Sequence, residues 1–194
     1  MGRVRAAAAQ VATLPLAQDP EVTQMLKQVF VVAPEAPHHG SLVEALNDRA
    51  FGPGRFAKTA HRLREGRVGL PELSFVATDA GIMCGSVRYW PITIGDAPAL
   101  LLGPLAVEPL RQSQGIGRAL LETSLERAAQ LGHKLVILVG DAPYYGRVGF
   151  APVPVSHMIM PGPVDPARLL YKELEPGSQG SAKGAIKAAG VPLR

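Results

Sequence analysis

The spacing of apolar and polar positions divides the chain into stretches with a strand period and stretches with a helical one. Residues 1 to 27 show no strand pattern, although Glu21 to Lys27 predicts a short helix. Val29 to Ala33 reads as a first strand, closed by a proline-rich turn from Pro34 to Gly40. A helix is predicted from about Ser41, with Ser41 as its cap and Glu44, three residues on, completing a capping box. The FGPGRF segment, Phe51 to Phe56, breaks that helix, and a second short one is predicted over Ala57 to Glu65. Leu73 to Thr78 and Gly85 to Ile94 read as strands joined through Asp79-Ala80-Gly81, and Leu100 to Val107 as a third, reached through Gly95-Asp96. From Gln114 the period turns helical. Ile116, Ala119, Leu120, Leu121, Leu125, Ala128 and Ala129 share one face, and Gly132 supplies a stop. Lys134 to Val139, the residues after Phe150, and Leu169 to Leu174 predict further strands, with a short helix over Tyr144 to Val148. The expected fold class is α/β (α+β), with a mixed, largely antiparallel sheet of about six to seven strands flanked by helices.

Composition narrows the function classes. The chain has 194 residues, 47% of them hydrophobic, which excludes a disordered solvating protein. Lys and Arg number 20 against 16 Asp and Glu, an excess that suggests a polyanionic partner. Its placement removes that suggestion, because residues 28–175 hold 14 basic and 14 acidic side chains. The surplus falls in residues 1–27, read as a flexible extension, and 176–194, read as a flexible basic tail around a single domain at 28–175. An aromatic content of 5% gives little material for base stacking, so no nucleic-acid partner is expected. Cys84 is the single cysteine, which excludes an internal disulfide and a paired-cysteine metal site, reads as a small buried hydrophobe and suits a reducing cytoplasm. His38-His39 lacks metal-ligand spacing, and no metal is expected. No apolar run approaches the ~20 residues that span a bilayer, so no membrane partner is expected either.

Candidate chemistry concentrates between Leu101 and Leu121. A strand ends at Val107, and Gln112-Ser113-Gln114-Gly115-Ile116-Gly117 then opens a helix. Closely spaced glycines let backbone N–H groups approach a ligand, and the helix N-terminus with Arg111 and Arg118 adds positive charge. These are the physical requirements of a diphosphate cradle. A Walker loop is excluded because Gly-Lys-Ser/Thr occurs nowhere, and the dinucleotide fingerprint fails at Leu120. The remaining pattern, Q/R-x-x-G-x-G/A, is met by Gln112, Gly115 and Gly117. A second motif, GDAPYYGRVGF from Gly140 to Phe150, places Tyr144-Tyr145 ahead of Gly149-Phe150.

On these two motifs the chain resembles the GNAT superfamily of acetyl-CoA-dependent N-acetyltransferases, in particular bacterial members with LGPLAV before the loop and G-D-x-x-Y-Y after the next strand. The resemblance spans roughly Val29 to Glu175. It implies that acetyl-CoA is a cosubstrate, with Gln112, Ser113, Gln114, Gly115, Ile116, Gly117 and Arg118 around its pyrophosphate. It further implies that the Leu100–Val107 strand splays from Lys134–Val139, so that backbone at Leu105, Ala106 and Val107 meets the pantetheine arm and thioester. Pro104 points independently to a bulge there, since proline cannot donate to a ladder. Tyr145 stands at the family's general-acid position, whereas Tyr144 is expected to be structural. Asp141 has two readings, a cap for the Tyr145 helix and a contact to the coenzyme. Many relatives carry a glutamate base three residues before the valine, where this chain has Pro104, so no general base is assigned. An acyl-CoA sensor without efficient catalysis therefore stands beside the enzyme reading, and the acceptor amine and a homodimer are left open. Arg55 in FGPGRF, and Arg88 or Trp90 on their strand, are candidate acceptor contacts.

Overall fold

The computed structural model describes residues 30–193. The predicted helix over Glu21 to Lys27 and Val29 of the first strand therefore lie outside the described residues, as does the extension at 1–27. Strands β1 (Val31–Pro34), β2 (Phe75–Asp79), β3 (Ile82–Ile94) and β4 (Ala97–Val107) form an antiparallel meander. Helix α1 (Gly40–Phe51) and the short α2 (Thr59–Arg62) intervene between β1 and β2. Helix α3 (Ile116–Gln130) then leads to β5 (Leu135–Val139), which runs parallel to β4. The short α4 (Ala142–Gly146), β6 (Ala151–Pro152), β7 (Met158–Ile159) and β8 (Leu169–Glu173) follow, and the order across the sheet is β1-β2-β3-β4-β5-β8-β6. The sheet is thus mixed and largely antiparallel, as the sequence pattern predicts.

Side-chain alternation builds a core on each face. Leu100, Leu102, Val136 and Leu138 join one cluster with Ile116, Leu120, Leu121 and Leu125 of α3. Their strand neighbours Ala99, Leu101, Leu135 and Ile137 join a second with Trp90, Ile92, Ile94 and Ile186. This two-sided burial explains why β5 reads as an unbroken apolar run. Helix α3 lies close on β3 because Gly85 has no side chain. A Cβ there would stand 2.7 Å from Ile116 Cγ2 and 2.9 Å from Leu120 Cδ1. The Tyr89 hydroxyl and Ser124 Oγ, 2.8 Å apart, fix the same contact from inside the core.

Two expectations are corrected. The capping box does not form: α1 begins at Gly40, and no side chain caps it. A 3₁₀ turn over Pro37–His39 runs straight into the helix, with Gly40 N–H donating to Pro37 O, so backbone already does the work of a cap. Glu44 instead faces Arg55 and Arg88. The second correction concerns the tail expected to be mobile from Pro176. It forms α5 (Ser178–Ser181) and β9 (Gly184–Ala188), and β9 pairs with both β3 and β7 in a nine-stranded sheet. Ile92 and Ile94 leave a β3 edge open, and Ile186, 2% exposed, closes it. One isoleucine among glycines and alanines carries too little periodicity to reveal such a strand.

Candidate active site

The sheet opens where β4 and β5 meet. Their parallel ladder holds only at Leu100–Val136 and Leu101–Ile137, after which the strands part. On the other edge of β4, Val87 pairs with Leu105 and Tyr89 with Leu102, so Gly103 and Pro104 together face Arg88 alone. This is the bulge that Pro104 predicted, and the Gly103–Pro104 peptide within it is cis. Pairing to β3 resumes at Leu105, Ala106 and Val107, which leaves their β5 side without a ladder. Backbone there is free to receive an extended chain.

Two cavities flank this opening. The first, about 560 Å³, is lined by Leu105, Val107, the loop residues Arg111 to Ser113 and Gly115 to Gly117, Arg118, Tyr144 and Tyr145. The second, about 350 Å³, is lined by β4 from Leu101 to Leu105, by Leu138 and Val139, and by Ala57 to His61 with Arg64. Phe51, Leu105 and Tyr145 line both, so the two spaces adjoin at the mouth of the splay.

In the first cavity the local chain geometry exposes amide groups. Ser113 and Gly115 take positive φ values of 63° and 84°, turning the loop tightly before α3. No side chain caps α3, and Ala119 N–H to Gly115 O is the first bond of its ladder. The N–H groups ahead of it have no helical partner and carry the positive end of the helix dipole. Gly117 lets Tyr144 close over the loop, because a Cβ there would collide with the Tyr144 hydroxyl unless that side chain moved. Tyr144, expected to be structural, thereby becomes part of the cavity wall.

Leu105, Val107, Gln112, Ser113, Gly115, Ile116, Gly117, Arg118 and Tyr145 are brought together here. The structure sets the other sequence candidates apart. Ala106 is buried in the sheet opposite Ser86, and Gln114 accepts a bond from Arg111 Nε at 2.8 Å; neither lines the cavity. Asp141 caps α4, its carboxylate accepting Tyr144 N–H at 3.1 Å. The two arginines near the loop are not bare charges. Arg111 meets Asp79 at 2.7 Å, and Arg118 meets Glu122 one turn along α3. The cradle therefore rests chiefly on backbone.

Tyr145 is held by its ring. It packs edge-on against Phe150 and Tyr144 and fills the space over Gly140, where a Cβ would lie 2.7 Å from its Cδ2. Among the described residues its hydroxyl has no hydrogen-bond partner, and burial, with the neighbouring Tyr144, raises its pKa well above the ordinary 10. The phenol is therefore neutral at physiological pH.

The second cavity holds groups that sequence reasoning did not select: Lys58, His61, Arg64, Asp165 and Arg168. Burial and the nearby Arg64 depress the His61 pKa below 6.5. Arg55 does line the cavity, but Glu44 and Asp48 each lie 3.0 Å from its guanidinium. Arg88 is committed to Glu35 at 2.6 Å and to Glu44, and neither Arg88 nor Trp90 lines this space. Only the short helix over Ala57–Glu65, predicted without a facing direction, hinted at Lys58, His61 and Arg64.

A mixed sheet opened at one parallel pair, with an uncapped helix start beside the gap, defines the GNAT type of acyltransferase fold. Comparison with known proteins agrees. The family described as the acetyltransferase (GNAT) domain matches residues 71–152. The uncharacterized N-acetyltransferase YhbS of Escherichia coli K12 is 32% identical over 62% of this chain and 73% of its own length. The uncharacterized N-acetyltransferase YjhQ of the same strain is 33% identical over 57% of this chain, and the match spans 63% of that relative, just under two thirds. The crystal structure of Escherichia coli YhbS in complex with CoA superposes with a TM-score of 0.71 at 26% identity, covering 85% of this chain and 96% of that one. The chain belongs to the GNAT acetyltransferase family. Among the described residues, no helix is long and apolar enough to cross a membrane.

Proposed function

We propose that this protein is an acetyl-CoA-dependent N-acetyltransferase that acts on a primary amine by direct transfer in a ternary complex. The observation that carries the reading is the meeting of two cavities at Leu105 and Tyr145. One has the free amides suited to a diphosphate, and the other is of a size suited to a small acceptor. The CoA complex of the similar YhbS supports the assignment of the first cavity to the coenzyme. Gln112, Ser113, Gly115, Ile116, Gly117 and Arg118 are assigned to the diphosphate, and backbone at Leu105 and Val107 to the pantetheine arm.

The reaction follows from this arrangement. The free amine attacks the thioester carbonyl, a C–N bond forms, the C–S bond breaks, and the thiolate takes a proton from the Tyr145 hydroxyl. The proton lost by the amine passes to water, and the phenolate is then reprotonated. A raised tyrosine pKa suits an acid that must hold its proton until a thiolate appears. With Pro104 in place of a carboxylate, β4 supplies no base.

A thiol-release assay over an amine panel tests the proposal. Acceptor-dependent release is expected, and Tyr145→Phe lowers kcat by roughly 10²- to 10⁴-fold while acetyl-CoA still binds. Wild-type turnover by Tyr145→Phe would remove the acid assignment. Acetyl-CoA binding with no amine-dependent thiol would instead identify an acyl-CoA sensor.

A further inference from the structure

The charges around the second cavity are lopsided. Lys58, Arg64 and Arg168 line it as cations, and among the described residues none of them has a carboxylate within ion-pair distance. Asp165 is the one acid in the lining, and it caps the turn before β8, accepting Ala167 N–H at 3.0 Å. Arg55 does not add to the imbalance, because Glu44 and Asp48 neutralise it.

Arg64 is the most constrained of the three. Its Nε donates to Ala60 O at 3.1 Å, and its guanidinium carbon lies 5.4 Å from the centre of the Trp90 ring. That leaves the fork fixed in place with its outer N–H groups unclaimed. Burial and the neighbouring Arg55 bring its pKa down from 12.5 to about 10, so the charge persists at neutral pH although it is poorly solvated. A poorly solvated cation without a counter-ion is stabilised by an anion arriving with the ligand. The position also fits. Lys58 and Arg64 lie in the segment that lines only the second cavity, whereas Leu105 and Tyr145 sit at the junction where the thioester is placed.

We infer that the acceptor is a small amine that also carries an anionic group, a carboxylate or a phosphate, which Arg64 and Lys58 hold while the amino group points to the Leu105–Tyr145 junction. A cavity of about 350 Å³ takes a metabolite of amino-acid or sugar size. The inference rests on the proposed N-acetyltransferase activity for the amine but not for the anion site, and the two fail separately.

The test uses calorimetry on the full chain saturated with CoA. The probes are matched pairs: amino acids against their amides, and aminoalkyl phosphates against the corresponding amino alcohols. At least one anionic member is expected to bind about tenfold more tightly than its neutral partner, and the better series shows whether carboxylate or phosphate is read. Arg64→Gln is expected to remove most of that preference, leaving it within about twofold, and Arg64→Lys to restore part of it. Thermal melts of both variants check that the fold survives. Should Arg64→Gln not fold, Lys58→Gln provides the second reading of the same preference. Equal or tighter binding of the neutral members, or a preference untouched by both variants, overturns the inference. Thiol release on the same panel is read separately. Anion-dependent binding without turnover leaves the anion site standing and defeats the acetyltransferase reading.

Discussion

Gly140 lies outside both cavities, yet it should control catalysis through Tyr145. Its φ is not in the positive range, so alanine meets no backbone obstacle. The obstacle is the ring. An added Cβ would stand 2.7 Å from Tyr145 Cδ2 and nearer still to Cε2, with Leu138 Cδ1 at 2.8 Å on another side. Carbon pairs settle at about 3.5–4.0 Å, so relief requires a movement of about 1 Å. The backbone is poorly placed to give way, because Gly140 N–H donates to Arg168 O at 2.9 Å and Gly140 O accepts from Arg168 Nε at 3.3 Å. The ring of Tyr145 must yield. Overpacking of this kind costs about 1–3 kcal/mol of stability. Carrying the hydroxyl about 1 Å from the thiolate costs on the order of a hundredfold in kcat. Thiol release measures kcat, calorimetry measures acetyl-CoA affinity, and the double variant Gly140→Ala/Tyr145→Phe closes the cycle. We expect Gly140→Ala to lower kcat on its own and to add little once the hydroxyl is gone. Wild-type kcat in Gly140→Ala, or kcat losses that multiply fully in the double variant, would refute the coupling.

One further prediction concerns the tail that composition misread, and another concerns His61. Ending the chain after Lys183 removes β9 and uncovers Ile92 and Ile94; with the burial of Ile186 worth about 1.5–3 kcal/mol, a clear drop in the denaturant midpoint is expected, and an unchanged midpoint would return the tail to its role as a loose appendage. His61 has a folded pKa below 6.5, so the unfolded chain takes up its proton first as pH falls. The stability His61 contributes is present above 6.5 and is lost as pH falls through its folded value. His61→Gln should therefore flatten the decline in Tm between about pH 7 and about pH 5, and an identical decline in both proteins would argue against that environment.

Much of the site was legible from residue order because its parts are local. The turn, the glycines and the uncapped helix start all lie between Val107 and Gly117, and one stretch of backbone contains everything an amide cradle needs. Pro104 announced the bulge for the same reason, since a missing N–H disturbs a ladder wherever the partner strand comes from. The β4–β5 parting could be anticipated only through resemblance, because it depends on two strands separated by all of α3.

What the linear chain could not state was which charges are already spent. Arg55 looked available in its loop, and Arg64 looked like one more polar position on a short helix. Their roles are decided by how the chain packs: Glu44 and Asp48 on α1 neutralise Arg55, while Trp90 on β3 lies beside Arg64. The basic tail was misjudged in the same way, because the order of a glycine-rich segment depends on the β3 edge it covers. Local backbone chemistry therefore determined the loop proposed to cradle the coenzyme. The electrostatic character of the proposed acceptor cavity arises only when the packed fold brings its side chains together, since pairing and burial set whether a charge can still reach for a ligand.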